Sequence, residues 1–111
     1  MVRPVTLVSG DKEYILEFNR ASALRAESAG FSPDDLQSGK RVMTGVTELF
    51  YYSFLMHQPD FTKGEAESII DEMGGVPTAV LERLAELYAV PYNTLIQTEE
   101  SSKNSKWAVR L

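Results

Sequence analysis

Catalysis needs a nucleophile with a base beside it, metal binding needs ligands at the right spacing, and phosphate binding needs a glycine-rich cradle. This chain offers little material for any of them. Its single histidine, His57, precedes Gln58 and Pro59, and no motif supplies a nucleophile or an orienting acid. It reads as a histidine near a helix C-terminus, where the helix dipole favours a positive ring. One imidazole and no cysteine leave nothing to ligate a transition metal and exclude thiol catalysis. The acidic pairs Asp34-Asp35 and Asp71-Glu72 sit in no EF-hand loop, where ligands alternate around a glycine. The first pair suits the positive end of a helix. The second opposes the dipole at a helix C-terminus, and Glu67 adds a like charge four residues before Asp71. That patch is either a contact surface or a solvated face. Gly39-Lys40 lacks the spacing and the following Ser or Thr of a phosphate loop. Gly74-Gly75 separates two helical segments as the turn of a DNA-binding motif does. The second segment, however, would offer DNA Thr78, Glu82, Arg83 and Glu86, a poor set for phosphate contacts. The expectation is a binding protein, not an enzyme, with no catalytic residues, cofactor or metal.

Two features suit binding. Phe50-Tyr51-Tyr52 followed by Phe54 and Met56 is either core or interface, since tyrosine is enriched where one end is buried and the other stays wet. Trp107 stands in an otherwise polar tail, either idle or as a short anchor for this fold, a sister subunit or a partner. Phe50, Tyr51, Tyr52, Phe54, Met56 and Trp107 are therefore the candidate partner-binding residues.

The elements that must position them follow from local chemistry. Pro4–Val8 is β-branched, and Tyr14, Leu16 and Phe18 alternate onto one face, with Ser9-Gly10-Asp11-Lys12 as the turn between. This predicts a hairpin within residues 1–18, marginal unless packed on helices. Asn19 caps a helix from Arg20 to about Ala29, stopped by Gly30, with Ala21, Leu24 and Ala29 on or near its inner face. Ser32-Pro33-Asp34-Asp35 opens a short helix that ends before Gly39. The densest segment, about Gly45 to His57, is apolar nearly all round, with Leu49, Phe50 and Phe54 as one stripe, and Pro59 closes it. Thr62 and Glu65 form a capping box for a helix to about Met73. Pro77 suits the first position of the next, which carries Val80, Leu81, Leu84, Leu87 and Tyr88 to about Ala89 before Pro91 interrupts. Leu95 and Ile96 belong to a last turn. From Thr98 the chain is polar and without period, a mobile tail.

At 111 residues the chain suits one domain, and 43% hydrophobic with 24% charged residues is ordinary for a globular protein and unlike disorder. The expected fold is mainly α, of the α+β class: an N-terminal β-hairpin packed on a compact bundle of about five helices over 1–97, with a flexible C-terminal tail at 98–111. Largely buried Leu16, Phe18, Leu49, Phe50, Phe54, Leu81, Leu84 and Leu87 should form its core. Met1-Val2-Arg3-Pro4 begins no signal-peptide pattern, no stretch is long enough to span a membrane, and the absence of cysteine fits a reducing compartment. The net charge is −5; Glu99 and Glu100 against Lys103, Lys106 and Arg110 make the tail +1, leaving −6 for the rest. Nucleic acid and anionic membranes are thus expected to be excluded as partners.

The order of segments carries a resemblance. The hairpin leads into Phe18-Asn19-Arg20-Ala21-Ser22, the aromatic helix runs from Thr47 to His57, a Gly-Gly break follows, and Asn104-Ser105-Lys106-Trp107 comes late. Over nearly its whole length this resembles the tail assembly chaperones of long-tailed phages and prophages of Gram-positive bacteria. The resemblance implies a cytoplasmic morphogenesis factor that binds the tape measure protein, keeps it soluble, and is missing from the finished virion. It also implies self-association and, in many such proteins, a longer form made by frameshifting. Two other classes fit the residues: a structural virion component, such as a head–tail connector or tail completion protein, and a small acidic regulator sequestering a basic partner.

Overall fold

A computed structural model describes residues 2–95 and Arg110. Strands β1 (Val5–Ser9) and β2 (Lys12–Leu16) pair antiparallel, from Val5 opposite Leu16 to Ser9 opposite Lys12. Gly10 has φ +61° at the first of the two turn positions, which a two-residue hairpin reserves for glycine. Tyr14 is half-buried and Leu16 and Phe18 are buried, so the alternation read from sequence faces the helices.

Helix α1 (Arg20–Ser28) starts with Asn19 and Ser22 each satisfying the other's backbone N–H, at 2.8 and 3.0 Å. Its inner face is not the one expected. Ser22 and Ala26 are buried, whereas Ala21, Leu24 and Ala29 are exposed. Small side chains let α1 lie close to its neighbours, and the Ser22 hydroxyl goes inside because the cap satisfies it. Helix α2 (Pro33–Gln37) is capped by Ser32.

Helix α3 (Val42–Phe54) touches α1, α2, β2, and two later helices, α4 (Lys63–Met73) and α5 (Thr78–Asn93). It begins and ends three residues earlier than the expected Gly45–His57. Gly45 is interior because a Cβ there would stand 3.2 Å from Leu36 Cδ1, so the glycine permits the close approach of α2. The helix stops at Phe54 because Gln58, held out of helical geometry by Pro59, turns its amide back onto β2. Helix α4 has the expected capping box, Thr62 N–H donating to Glu65 Oε1 at 3.1 Å and Glu65 N–H to Thr62 Oγ1 at 3.2 Å. Gly74 (φ +72°) ends it.

Pro77 is the N-cap of α5 rather than its first helical residue, and Pro91 does not interrupt it. The helix runs through to Asn93 because Pro91 lies in its last turn, where only the Leu87 carbonyl loses a donor, and Thr94 N–H still reaches Val90 O at 3.2 Å.

One core joins these elements. Leu16, Phe18, Leu49, Phe50, Phe54, Leu84 and Leu87 are buried as expected, while Leu81 is half-buried. Phe54 stacks on Phe61 with centroids 4.0 Å apart, and Tyr14 meets both rings edge-on at 5.5 Å. Phe18 and Phe31 meet the ring of Tyr88 edge-on at 5.4 and 4.9 Å. The architecture is thus an N-terminal hairpin on five helices. The last-turn residue Ile96 and, Arg110 apart, the tail from Thr98 that the sequence singles out, Trp107 included, lie outside the described residues.

Candidate protein-binding surface

Two polar clusters hold elements together. His57 lies beyond the end of α3, not within its last turn, and its Nε2 is 2.8 Å from Glu17 Oε1. Beside it, Ile15 N–H donates to Gln58 Oε1 at 2.9 Å, Gln58 Nε2 donates to Ile15 O at 3.0 Å, and Glu17 N–H donates to Ser53 O at 2.8 Å. The side chain of Gln58 thus stands where a neighbouring strand would, and the outer edge of β2 is sewn to the end of α3. His57 and Glu17 extend that seam.

The second cluster is Glu48, buried on α3, which accepts from Lys63 Nζ at 2.6 Å; its Oε2 is buried without a partner. That hydrogen bond holds the Lys63 ammonium above its ordinary value of 10.5. Burial likewise pushes the Tyr88 hydroxyl up from 10.0, with Glu27 adding to it. Both groups keep their protons longer in the folded chain. Their contribution is full below the unfolded values and is lost as pH rises through the folded ones. The midpoint of urea unfolding should therefore fall as pH passes 10.5, and fall less in Glu48→Gln. Lys63 is about half exposed, so the effect is modest. A midpoint equally steep in pH for both chains would contradict the assignment.

Of the aromatic candidates, Phe50 and Phe54 have no exposed surface and offer nothing to a partner, because Phe54 packs on Phe61 and Tyr14 and Phe50 packs on Phe54 in the core. Tyr51, Tyr52 and Met56 remain half-exposed. The Tyr51 and Tyr52 rings are 4.7 Å apart, and the Arg25 guanidinium stands 5.9 Å from the Tyr52 centroid. Asp71 and Glu72 are exposed at the end of α4.

The larger apolar surface lies elsewhere. Leu24, Tyr92 and Leu95, between 57% and 59% exposed, gather where α1 meets the end of α5. Leu24, Ala23, Pro91, Tyr92 and Leu95 line one groove of about 180 Å³. A second, of about 590 Å³, runs between the α1–α2 connection and α5 over Phe31, Leu36, Ala85 and Ala89. Glu27, Tyr88 and Tyr92 border both, so the two form one surface. Sequence reasoning missed it because Pro91 was taken to separate Tyr92 and Leu95 from the helix. Tyr88, Tyr92 and Leu95 are nevertheless spaced by four and three residues, which is the signal that could have found it.

No metal-binding group of three or more His, Cys, Asp or Glu forms among the described residues, and no described helix is long and apolar enough to cross a membrane. The arrangement can bind an apolar surface. Neither the curated proteins nor the solved structures match the chain. A family described as a domain of unknown function, DUF5055, matches residues 1–111. The match covers the hairpin, the five helices and the segment beyond them, and the chain belongs to the DUF5055 family.

Proposed function

We propose that this protein is a tail assembly chaperone, which binds the tape measure protein of a long-tailed phage or prophage and keeps it soluble until the tail tube forms around it. The observation that carries the reading is the exposed apolar surface of α1 and α5, bordered by Glu27, on an acidic chain. A tape measure protein is long and helical with apolar stripes, and such stripes aggregate unless covered. Standard interfaces bury roughly 800 Å² per partner, so several copies along one long target would add avidity. The resemblance of segment order supports the same role. On this reading the protein acts in the host cytoplasm and leaves before the virion is complete.

Co-expression with the tape measure protein of the same phage or prophage tests the proposal. The tape measure protein should be soluble and co-purify with several copies of the chain, and purified particles should lack the chain. Failure to form any complex would overturn the reading. Finding the chain in purified particles would replace it with a structural virion role.

A further inference from the structure

We infer that the α1–α5 surface is a seat for one amphipathic helix with basic flanks. The inference rests on the chaperone reading for its natural source, a helical stretch of the tape measure protein, and adds which surface takes it and by what chemistry.

The shape fits a helix first. From Ala85 to Asn93 the groove follows α5 for eight residue steps, about 12 Å at 1.5 Å per residue, or just over two turns, and Leu95 lines it past the helix end. A helix laid along it would bring three or four side chains to the floor, at the i, i+3 or i+4, and i+7 spacing used by helices docked in grooves. Ala85 and Ala89 are one turn apart on α5 and leave a shallow shelf where a second helix can come close. Tyr92 rises beside it, 58% exposed, with Leu24 opposite on α1. Tyrosine in such a position has the character of a binding hot spot, being a large rigid contact with a polar tip.

Charge then selects the partner. Glu27 and Asp34 line the larger groove from the α1–α2 side, and no lysine or arginine lines it. Glu82 and Glu86 are exposed on α5, seven and three residues before Ala89, so their side chains flank the same face. Four carboxylates therefore border an apolar floor. Arg20, on the smaller groove, is the one basic residue lining the surface. An apolar stripe flanked by lysine or arginine is complementary to this border, and a stripe flanked by glutamate is repelled.

The test uses the full chain and two synthetic helix-forming peptides of the same apolar stripe, one flanked by lysine and arginine, the other by glutamate. Fluorescence anisotropy should show the basic peptide binding at least tenfold tighter than the acidic one, with affinity falling as salt rises. Leu24→Glu with Tyr92→Ala should weaken it tenfold or more. Glu27→Lys with Glu86→Lys should reverse the charge preference, and Val8→Lys, exposed on the hairpin and lining neither groove, should leave it unchanged. Equal binding of both peptides, no binding, or indifference to the groove substitutions would overturn the inference. So would a dimer that dissociates on Leu24→Glu, since a second copy would then hold the seat. Blue, quencher-shielded Trp107 emission that the basic peptide does not displace would give the seat to the chain's own C-terminal segment and overturn it too. The tape measure protein separates this inference from the reading it rests on. If it is captured equally by wild type and by Leu24→Glu with Tyr92→Ala, the seat is wrong and the chaperone role stands. If it is not captured while the basic peptide still binds the groove, the chaperone role falls and the seat stands.

Discussion

Phe54→Ala is expected to destabilise the fold by about 3–5 kcal/mol, the largest effect of any single truncation proposed for this chain. Phe54 has no exposed surface, stacks on Phe61, and is met edge-on by Tyr14 and Phe50. Removing its ring takes away apolar burial and leaves a void that three aromatic neighbours, anchored in β2, in α3 and in the α3–α4 connection, cannot collapse to fill. Domains of this size are stable by only about 5–15 kcal/mol, so the variant should melt well below the wild type or fail to accumulate. Leu24→Ala, on an exposed residue of α1, should change stability by less than about 0.5 kcal/mol. Chemical denaturation of the three chains is the measurement. A loss below about 1 kcal/mol for Phe54→Ala would mean that α3 is not the centre of the core.

Gln58→Ala should cost about 2–3 kcal/mol, far more than a half-buried glutamine normally warrants. Its amide serves Ile15 N–H, Ile15 O and Phe54 O, at 2.9, 3.0 and 2.7 Å. Truncation leaves Ile15 N–H and O without partners in a place where water has only partial access, while Phe54 O keeps the backbone N–H of residue 58 at 2.8 Å. Hydrogen exchange gives the sharper readout: the Ile15 amide should lose its protection in the variant, and Leu7 and Leu16, inside the ladder, should lose much less. Unchanged protection at Ile15 would show that the hairpin holds without this side chain.

Much of the fold was legible because it is written in local chemistry. Asn19, Ser32-Pro33 and Thr62 with Glu65 satisfy backbone donors within one turn, and Gly10, Gly30 and Gly74 stand at positive φ where the chain must reverse or stop. What escaped depends on distant residues. Gly45 looks like a helix start, and only the approach of Leu36 makes it interior. Phe54 ends α3 because Gln58 answers to Ile15, 43 residues back in the chain. The inner face of α1 is carried by Ser22 and Ala26, too small to register as a hydrophobic stripe. For the candidate site, the aromatic composition of α3 was visible, but which rings turn outward is decided by packing, and Phe50 and Phe54 turned inward. The groove itself was hidden by Pro91, a helix breaker in general and a tolerated last-turn residue here.

The hairpin's two margins differ. Because Ile15 gives both backbone groups to Gln58, bonds between the strands fall to the pairs Val5–Leu16, Leu7–Tyr14 and Ser9–Lys12. The N–H and C=O groups of Thr6 and Val8 then point out from β1, and no described residue meets them. Cross-β growth requires every layer to offer a free margin to the next, on both sides. With a glutamine amide bonded at Ile15, the margin along β2 is blocked there, so a strand added at β1 would have no successor through β2. In a cell crowded with identical acidic chains, that one side chain makes sheet propagation a step that terminates.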